Sequence, residues 1–279
     1  MGKLIFEFER FPVSICTREG EVSSDEEMIV CQIVQQENNM VQFIPYLSPE
    51  KIYLEQHNSS IGRTWINHNQ AFSDLIKKYE TKNITEIGGG SGNIFSKFTN
   101  IDSWKVIDLN PADVYDNERV NKIQDLYSPH FINENDVVIS SHVLEHMFYV
   151  EDFLTQLGDR SPSYHIFSVP NMESYAKLNY SATVFPEHPN YIPEKVIDAL
   201  LLRTGWDLVE KVFYKDHSIF YVTKPAPSFL DVDLPDNSND IINLISYLKK
   251  RSADVSNNTF YVFGAHLTYY YLFSGRATL

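Results

Sequence analysis

Cysteine is almost absent from this chain: Cys16 and Cys31 are the only two among 279 residues. Two thiols cannot build a disulfide framework. A tetrahedral structural zinc needs four ligands, which Cys16 and Cys31 with the distant His57 or His68 do not supply at the required spacing. Two free thiols and no metal are therefore expected. Basic residues are also scarce, with 23 Lys and Arg against 37 Asp and Glu and a formal charge of −14. No Lys/Arg stripe is present to track a phosphate backbone, which argues against nucleic acid as a partner and favours a small-molecule substrate. Long apolar runs are missing as well. Nothing approaches the roughly 20 uninterrupted apolar residues of a membrane span, and the opening "MGKLIFEFERF" has no signal-peptide h-region or cleavage site. The expectation is a cytoplasmic protein with no membrane partner.

The chain is 43% apolar and 14% aromatic, enough for one large domain or two modest ones with real cores. Residues 1–63 mix short apolar runs such as "MIVCQIVQ" and "MVQFIPYL" with acidic and amide clusters, a pattern that fits a small β-containing lobe. From Thr64, the steps of three and four between Trp65, Asn69, Phe72, Ile76 and Tyr79 predict a helix. Strand-like "NITEIG", "WKVIDLN", "NDVVISS" and "YHIFSVP" then alternate with helical "NIFSKF" and "VEDFLTQLG", which predicts an α/β class with a parallel sheet covered on both faces. Pro193 opens another helix that Gly205 ends, and "WDLVEKVFY" and "HSIFYVTK", joined at Lys215 and Asp216, read as an antiparallel edge hairpin. The core thus runs over 64–224. Residues 225–279 follow as a Pro- and Asp-rich linker, an amphipathic helix carrying Ile241, Leu244, Ile245 and Leu248, and a strand-like "TFYVFGAH".

The chemistry concentrates at "ITEIGGGSGNIFSKF", where four glycines fall in five positions directly after an apolar run. A strand, a glycine turn and a helix start form a nest of backbone N–H groups that a cofactor can approach closely. Dinucleotide binding would place a third glycine at position 93, which is Asn93, and no Lys-Ser/Thr pair follows as a phosphate loop requires. The pattern is instead Glu86, Gly88, Gly90, Gly92. About 20 residues past the first glycine, where such folds offer a carboxylate to ribose hydroxyls, stands Asp108. Gln124 and Asp125 follow at the next strand end, where an adenine edge would need a donor and an acceptor.

"EIGGGSGNIFSKF", "VIDLNP" and "DVVISSHVLEHM" resemble the glycine loop, the acidic ribose-binding strand end and the post-strand segment of class I S-adenosylmethionine-dependent methyltransferases. The resemblance implies a Rossmann-like fold with a seven-stranded, mostly parallel sheet whose last strand is antiparallel. It also implies S-adenosyl-L-methionine as cofactor, S-adenosyl-L-homocysteine as product, and a cofactor site drawn from Glu86, Gly88, Gly90, Gly92, Asn93, Asp108, Leu109, Gln124, Asp125, Ser141 and His142. More narrowly, "QFIPYLSPEKIY", "FPEHPNYIPEKVIDALLLRTGWDLVE" and "TFYVFGAH" resemble the methyltransferases that modify nucleotide-linked deoxysugars, although the paired Cys-x-x-Cys motifs of their zinc lobe are absent.

Methyl transfer to oxygen or activated carbon needs a proton removed, which directs attention to histidine as general base. His142 and His146, with Glu145, follow a parallel strand's carboxyl end. His130 and His165 read as ordinary surface or core residues. Glu187 and His188 occupy a Pro-flanked loop, and the resemblance of E-H-x-x-Y to the base-bearing segment of sugar C-methyltransferases favours His188, with Tyr191 at the aromatic position. Tyr53, His57, Tyr191 and His217 are the expected substrate contacts, and the segment around Tyr46, Tyr53 and His57 is expected to form a lid.

Overall fold

Strands whose apolar residues are covered on both faces organise the larger part of this protein. The structure is a computed structural model that describes residues 2–12, 28–49, 62–79 and 82–256. The strands are β1 (Lys3–Pro12), β2 (Met28–Gln35), β3 (Val41–Ile44), β4 (Asn83–Ile87), β5 (Ser103–Asp108), β6 (Val120–Gln124), β7 (Val137–Ser141), β8 (Tyr164–Pro170), β9 (Asn190–Tyr191), β10 (Trp206–Tyr214) and β11 (Ser218–Pro225). The helices are α1 (Arg63–Lys77), α2 (Val150–Gly158), α3 (Met172–Lys177), α4 (Glu194–Arg203) and α5 (Ser238–Ser256). The chain forms two units. One comprises Met1–Ile52, Asn171–Ile197 and Asp233–Leu279, the other Tyr53–Pro170 and Asp198–Val232. Where sequence places boundaries near residues 63 and 224, the folded chain crosses between units four times in all, because residues 171–197 and 233 onward join the N-terminal strands.

The second unit holds a seven-stranded sheet in the order β10-β11-β8-β7-β4-β5-β6. β4 through β8 run parallel, while β11 is antiparallel to both β8 and β10. The central strands are buried nearly end to end, as expected of a sheet covered on both faces, while the two edge strands β6 and β10 are largely open to solvent. The chain leaves β4 toward β5 on one side and returns to β7 on the other, so strand order reverses between β4 and β7. Ligands of open α/β sheets bind at the carboxyl ends of such a switch point. Beneath it, Phe72, Leu75 and Ile76 of α1 pack on Ile84, Trp104, Val106, Ile139 and Ile166. The apolar residues of α1 are spaced by three and four, which sets them on one helix face.

Helices α1, α2 and α4 and the edge hairpin stand where periodicity places them. "NIFSKF" does not form an α-helix: the crossover from β4 to β5 contains a single 3-10 turn, Phe95–Lys97. The next two crossovers likewise carry only Asp113–Tyr115 and Pro129–Phe131. Each loop is near the dozen residues that a parallel crossover requires, which leaves little chain for a full helix.

The first unit builds an antiparallel sheet, β1-β2-β3-β9. Phe6 and Phe8 fall two apart on β1 and share a face, and Phe8 meets Phe11 and Phe43 with ring centroids 5.0 and 5.9 Å away. Helix α5 buries Ile241, Leu244, Ile245 and Leu248 and packs on α3. Because β9 pairs with β3, residues 1–60 supply three of this sheet's four strands. Cys31 is buried in β2, and burial raises its thiol to about 12, which leaves it unreactive. Cys16, Tyr53, His57 and "TFYVFGAH" lie outside the described residues. No helix among the described residues is long and apolar enough to cross a membrane.

Candidate active site

At the carboxyl end of β4 the chain turns through Gly88, Gly90 and Gly92, all with positive φ. Gly88 has φ +70°, and a Cβ built there would lie 2.5 Å from Val143 Cγ2; at Gly92, with φ +71°, it would lie 2.2 Å from Val114 Cγ1. Backbone hand and close packing both require glycine at these two positions. Gly88→Ala is expected to lower unfolding free energy by about 1–2 kcal/mol from the left-handed backbone alone, with the Val143 clash added. Urea denaturation checks this, and an unchanged midpoint would contradict the turn geometry.

Asp108, at the end of β5, pins this turn. Its Oδ2 accepts from the Gly90 N–H at 2.9 Å and its Oδ1 from the Asn110 N–H at 2.7 Å. Each oxygen retains a further lone pair, the equipment for two ribose hydroxyls. Gln124 pairs in register with Asp108, and Gln124 and Asp125 are both exposed at the end of β6. Leu109 and Asn93 are half-buried beside Asp108 and Gly92 in the chain.

Glu86 stands beneath the turn, 3% exposed. Its Oε2 accepts from Trp104 Nε1 at 2.9 Å and from the Tyr115 hydroxyl at 2.7 Å, and that hydroxyl also lies 3.1 Å from the Gly89 carbonyl. Trp104 and Tyr115 carry no motif of their own, and neither partnership is visible in sequence. Burial raises the Glu86 carboxyl to about 7, against the opposing pull of its two hydrogen bonds. The folded protein therefore retains this proton to a higher pH than the unfolded chain, so stability falls as pH rises from about 4.5 to about 7. The loss is on the order of 3 kcal/mol. Glu86→Gln is expected to remove that part of the pH dependence, and thermal melts at pH 5 and pH 8 would show it. An equal loss in parent and variant would count against it.

Past β7, Ser141 Oγ lies 2.9 Å from Ser168 Oγ, and His142 adopts φ 55°, a left-handed conformation uncommon for a residue with a Cβ. Its Nε2 lies 2.9 Å from Ser218 Oγ, and its Nδ1 is 3.1 Å from Glu145 Oε1 without hydrogen-bond alignment. Glu145 is fully buried, and neither of its carboxylate oxygens has a hydrogen-bond partner among the described residues. Burial raises Glu145 to about 7 and lowers His142 to about 3, so it drives both groups of the pair toward neutrality. His146 Nε2 stands 4.0 Å from Glu145 Oε1. His217, in the turn between β10 and β11, sets its Nδ1 2.6 Å from Ser218 Oγ, and burial lowers its pKa to about 4.

In the first unit, His188 donates from Nδ1 to the Ala182 carbonyl at 3.1 Å, which makes Nε2 the ring's acceptor nitrogen. Glu187 is half-buried. Tyr191, expected to touch substrate, is instead 1% exposed, and its hydroxyl donates to Asp240 Oδ2 at 2.8 Å in the first turn of α5. There it packs the sheet. His165 is a core residue stacked on Phe167, and His130 is exposed beside Ser128, as read from sequence.

The second unit thus brings Glu86, the glycine turn, Asp108, Gln124, Asp125, Ser141, His142 and His217 to the carboxyl side of one sheet. A turn closed to side chains, a strand-end carboxylate with spare lone pairs and an exposed amide fit an adenosine-bearing cofactor. Solved structures similar in part include the methyltransferase domain of bacterial CtHen1-C, at 14% identity over 59% of this chain and 100% of that one, TM-score 0.47. The N-methyltransferase NodS from Bradyrhizobium japonicum WM9 matches at 14% identity over 58% and 97%, TM-score 0.45. An N,N-8-amino-8-demethyl-D-riboflavin dimethyltransferase from Streptomyces davawensis matches at 14% identity over 58% and 56%, TM-score 0.43. No curated protein matches the chain. A family model described as a methyltransferase domain matches residues 37–211, well over half of the sequence. The chain belongs to the methyltransferase-domain family, and its cofactor is S-adenosylmethionine.

Proposed function

We propose that this protein methylates a small molecule, a sugar nucleotide or another activated precursor of a surface polysaccharide or natural product. The observation that carries the substrate class is the formal charge of −14, which disfavours phosphate-rich macromolecules. The bound cofactor supplies a methyl group on a sulfonium. The chain's own work is to hold it, align an acceptor and exclude water.

In this reading the cofactor lies over residues 86–93, with its ribose on Asp108 and its adenine near Gln124 and Asp125. Asn93, Leu109, Ser141 and His142 complete the wall. His188, whose Nδ1 proton is fixed by the Ala182 carbonyl, removes the acceptor's proton at Nε2. Glu187, His142 and His146 are the remaining groups proposed for that proton's path, and His217 and His57 the polar contacts to the acceptor. Methyl transfer from labelled S-adenosylmethionine to a panel of sugar nucleotides, run beside RNA and protein acceptors, tests the substrate class. Incorporation into a sugar nucleotide supports it, and incorporation into RNA or protein alone overturns it.

A further inference from the structure

Three histidines from three separate elements of the second unit meet at one point. His68 comes from α1, His142 from the left-handed position after β7, and His217 from the turn between β10 and β11. One ring nitrogen of each lies within 4.8 Å of the others. The His68 ring is fully buried, with Nδ1 3.0 Å from Asn69 Oδ1. Nδ1 therefore carries the proton and Nε2 the lone pair, and that buried Nε2 has no hydrogen-bond partner among the described residues. His142 and His217 share Ser218 Oγ, which contacts His142 Nε2 at 2.9 Å and His217 Nδ1 at 2.6 Å. On the far side of His142, Glu145 Oε1 stands 3.1 Å from Nδ1. Trp65 walls all three rings, with centroids 4.8 Å from His142 and His217 and 5.2 Å from His68.

We propose that His68, His142 and His217 form a binding site for a divalent first-row transition cation, Zn2+ or Co2+ among them. Neutral imidazole nitrogens suit these ions, whereas Mg2+ and Ca2+ seek oxygen ligands. Trp65 supplies the apolar shell around the three rings. At Zn–N distances of about 2.0–2.1 Å, tetrahedral ligand atoms lie roughly 3.3 Å apart. Binding therefore draws the three nitrogens inward, as His142 and His217 exchange Ser218 for the ion. Three protein ligands leave a fourth position for water or an oxygen of a bound molecule.

Chelator-treated full-length protein titrated with Co2+ should take up one equivalent and develop the intense visible absorption of four-coordinate cobalt, which Zn2+ then abolishes. His217→Ala, at a half-buried turn, should lower the apparent affinity by at least about 100-fold. His68→Asn should do the same if it folds, and circular dichroism monitors folding in both variants. Absence of saturable binding by the parent overturns the proposal. So does undiminished binding by a folded His217→Ala, because the ion would then be held elsewhere.

Discussion

Asp108→Ala is expected to weaken S-adenosylhomocysteine binding by about 1–3 kcal/mol, roughly 5- to 150-fold, the usual effect of losing hydrogen bonds to a charged group. Two losses coincide in this variant. The carboxylate acceptors proposed for the ribose disappear, and the Gly90 and Asn110 N–H groups that Asp108 now satisfies are released, so the glycine turn is no longer tied to the end of β5. Asp108→Asn separates them in part. One amide oxygen can still accept a backbone N–H, but the amide's NH2 would face a second donor and cannot accept from both ribose hydroxyls. The asparagine variant should therefore recover some thermal stability relative to alanine while remaining weak in affinity. Calorimetric titration of parent and both variants measures the binding arm and melting temperatures the stability arm. Unchanged affinity in Asp108→Ala would remove the ribose from this carboxylate.

The glycine turn, Asp108 and the edge hairpin were legible because each is encoded within a few consecutive residues. Positive φ favours glycine, and a strand end followed closely by Asn-Pro exposes the carboxylate. α1 was legible by its three- and four-residue steps. The interleaved units were not. β9 is two residues long, and its pairing with β3 joins positions about 150 apart in sequence, a contact that no local period announces. Tyr191 illustrates the consequence, since an aromatic residue beside a catalytic-looking Glu-His pair is in fact committed to Asp240 of α5. His68 shows the reverse. It reads as one more helix residue, and its ring joins His142 and His217 only because α1, β7 and the β10–β11 turn converge at one end of the sheet. "NIFSKF" has a helical period, yet the short crossover to β5 overrides it and leaves one 3-10 turn.

His188→Ala is expected to keep S-adenosylhomocysteine affinity and lose roughly 100-fold or more in turnover, the usual contribution of a positioned base. The ring is prepared for that role by main-chain geometry. Phe185 and His188 close an isolated antiparallel bridge, the Phe185 ring packs 4.5 Å from the imidazole, and the Ala182 carbonyl accepts a hydrogen bond from Nδ1–H. These contacts fix both the ring plane and the tautomer, which a flanking carboxylate would otherwise have to do. His188→Gln offers a sharper comparison. Its amide can still donate to Ala182 but has no basic nitrogen, so it should preserve melting temperature better than alanine and restore no turnover. Single-turnover rates, measured with the acceptor found in the sugar-nucleotide panel, isolate the chemical step from product release. A glutamine or alanine variant that turns over like the parent would take the base from His188 and leave His142, His146 or His217 to supply it.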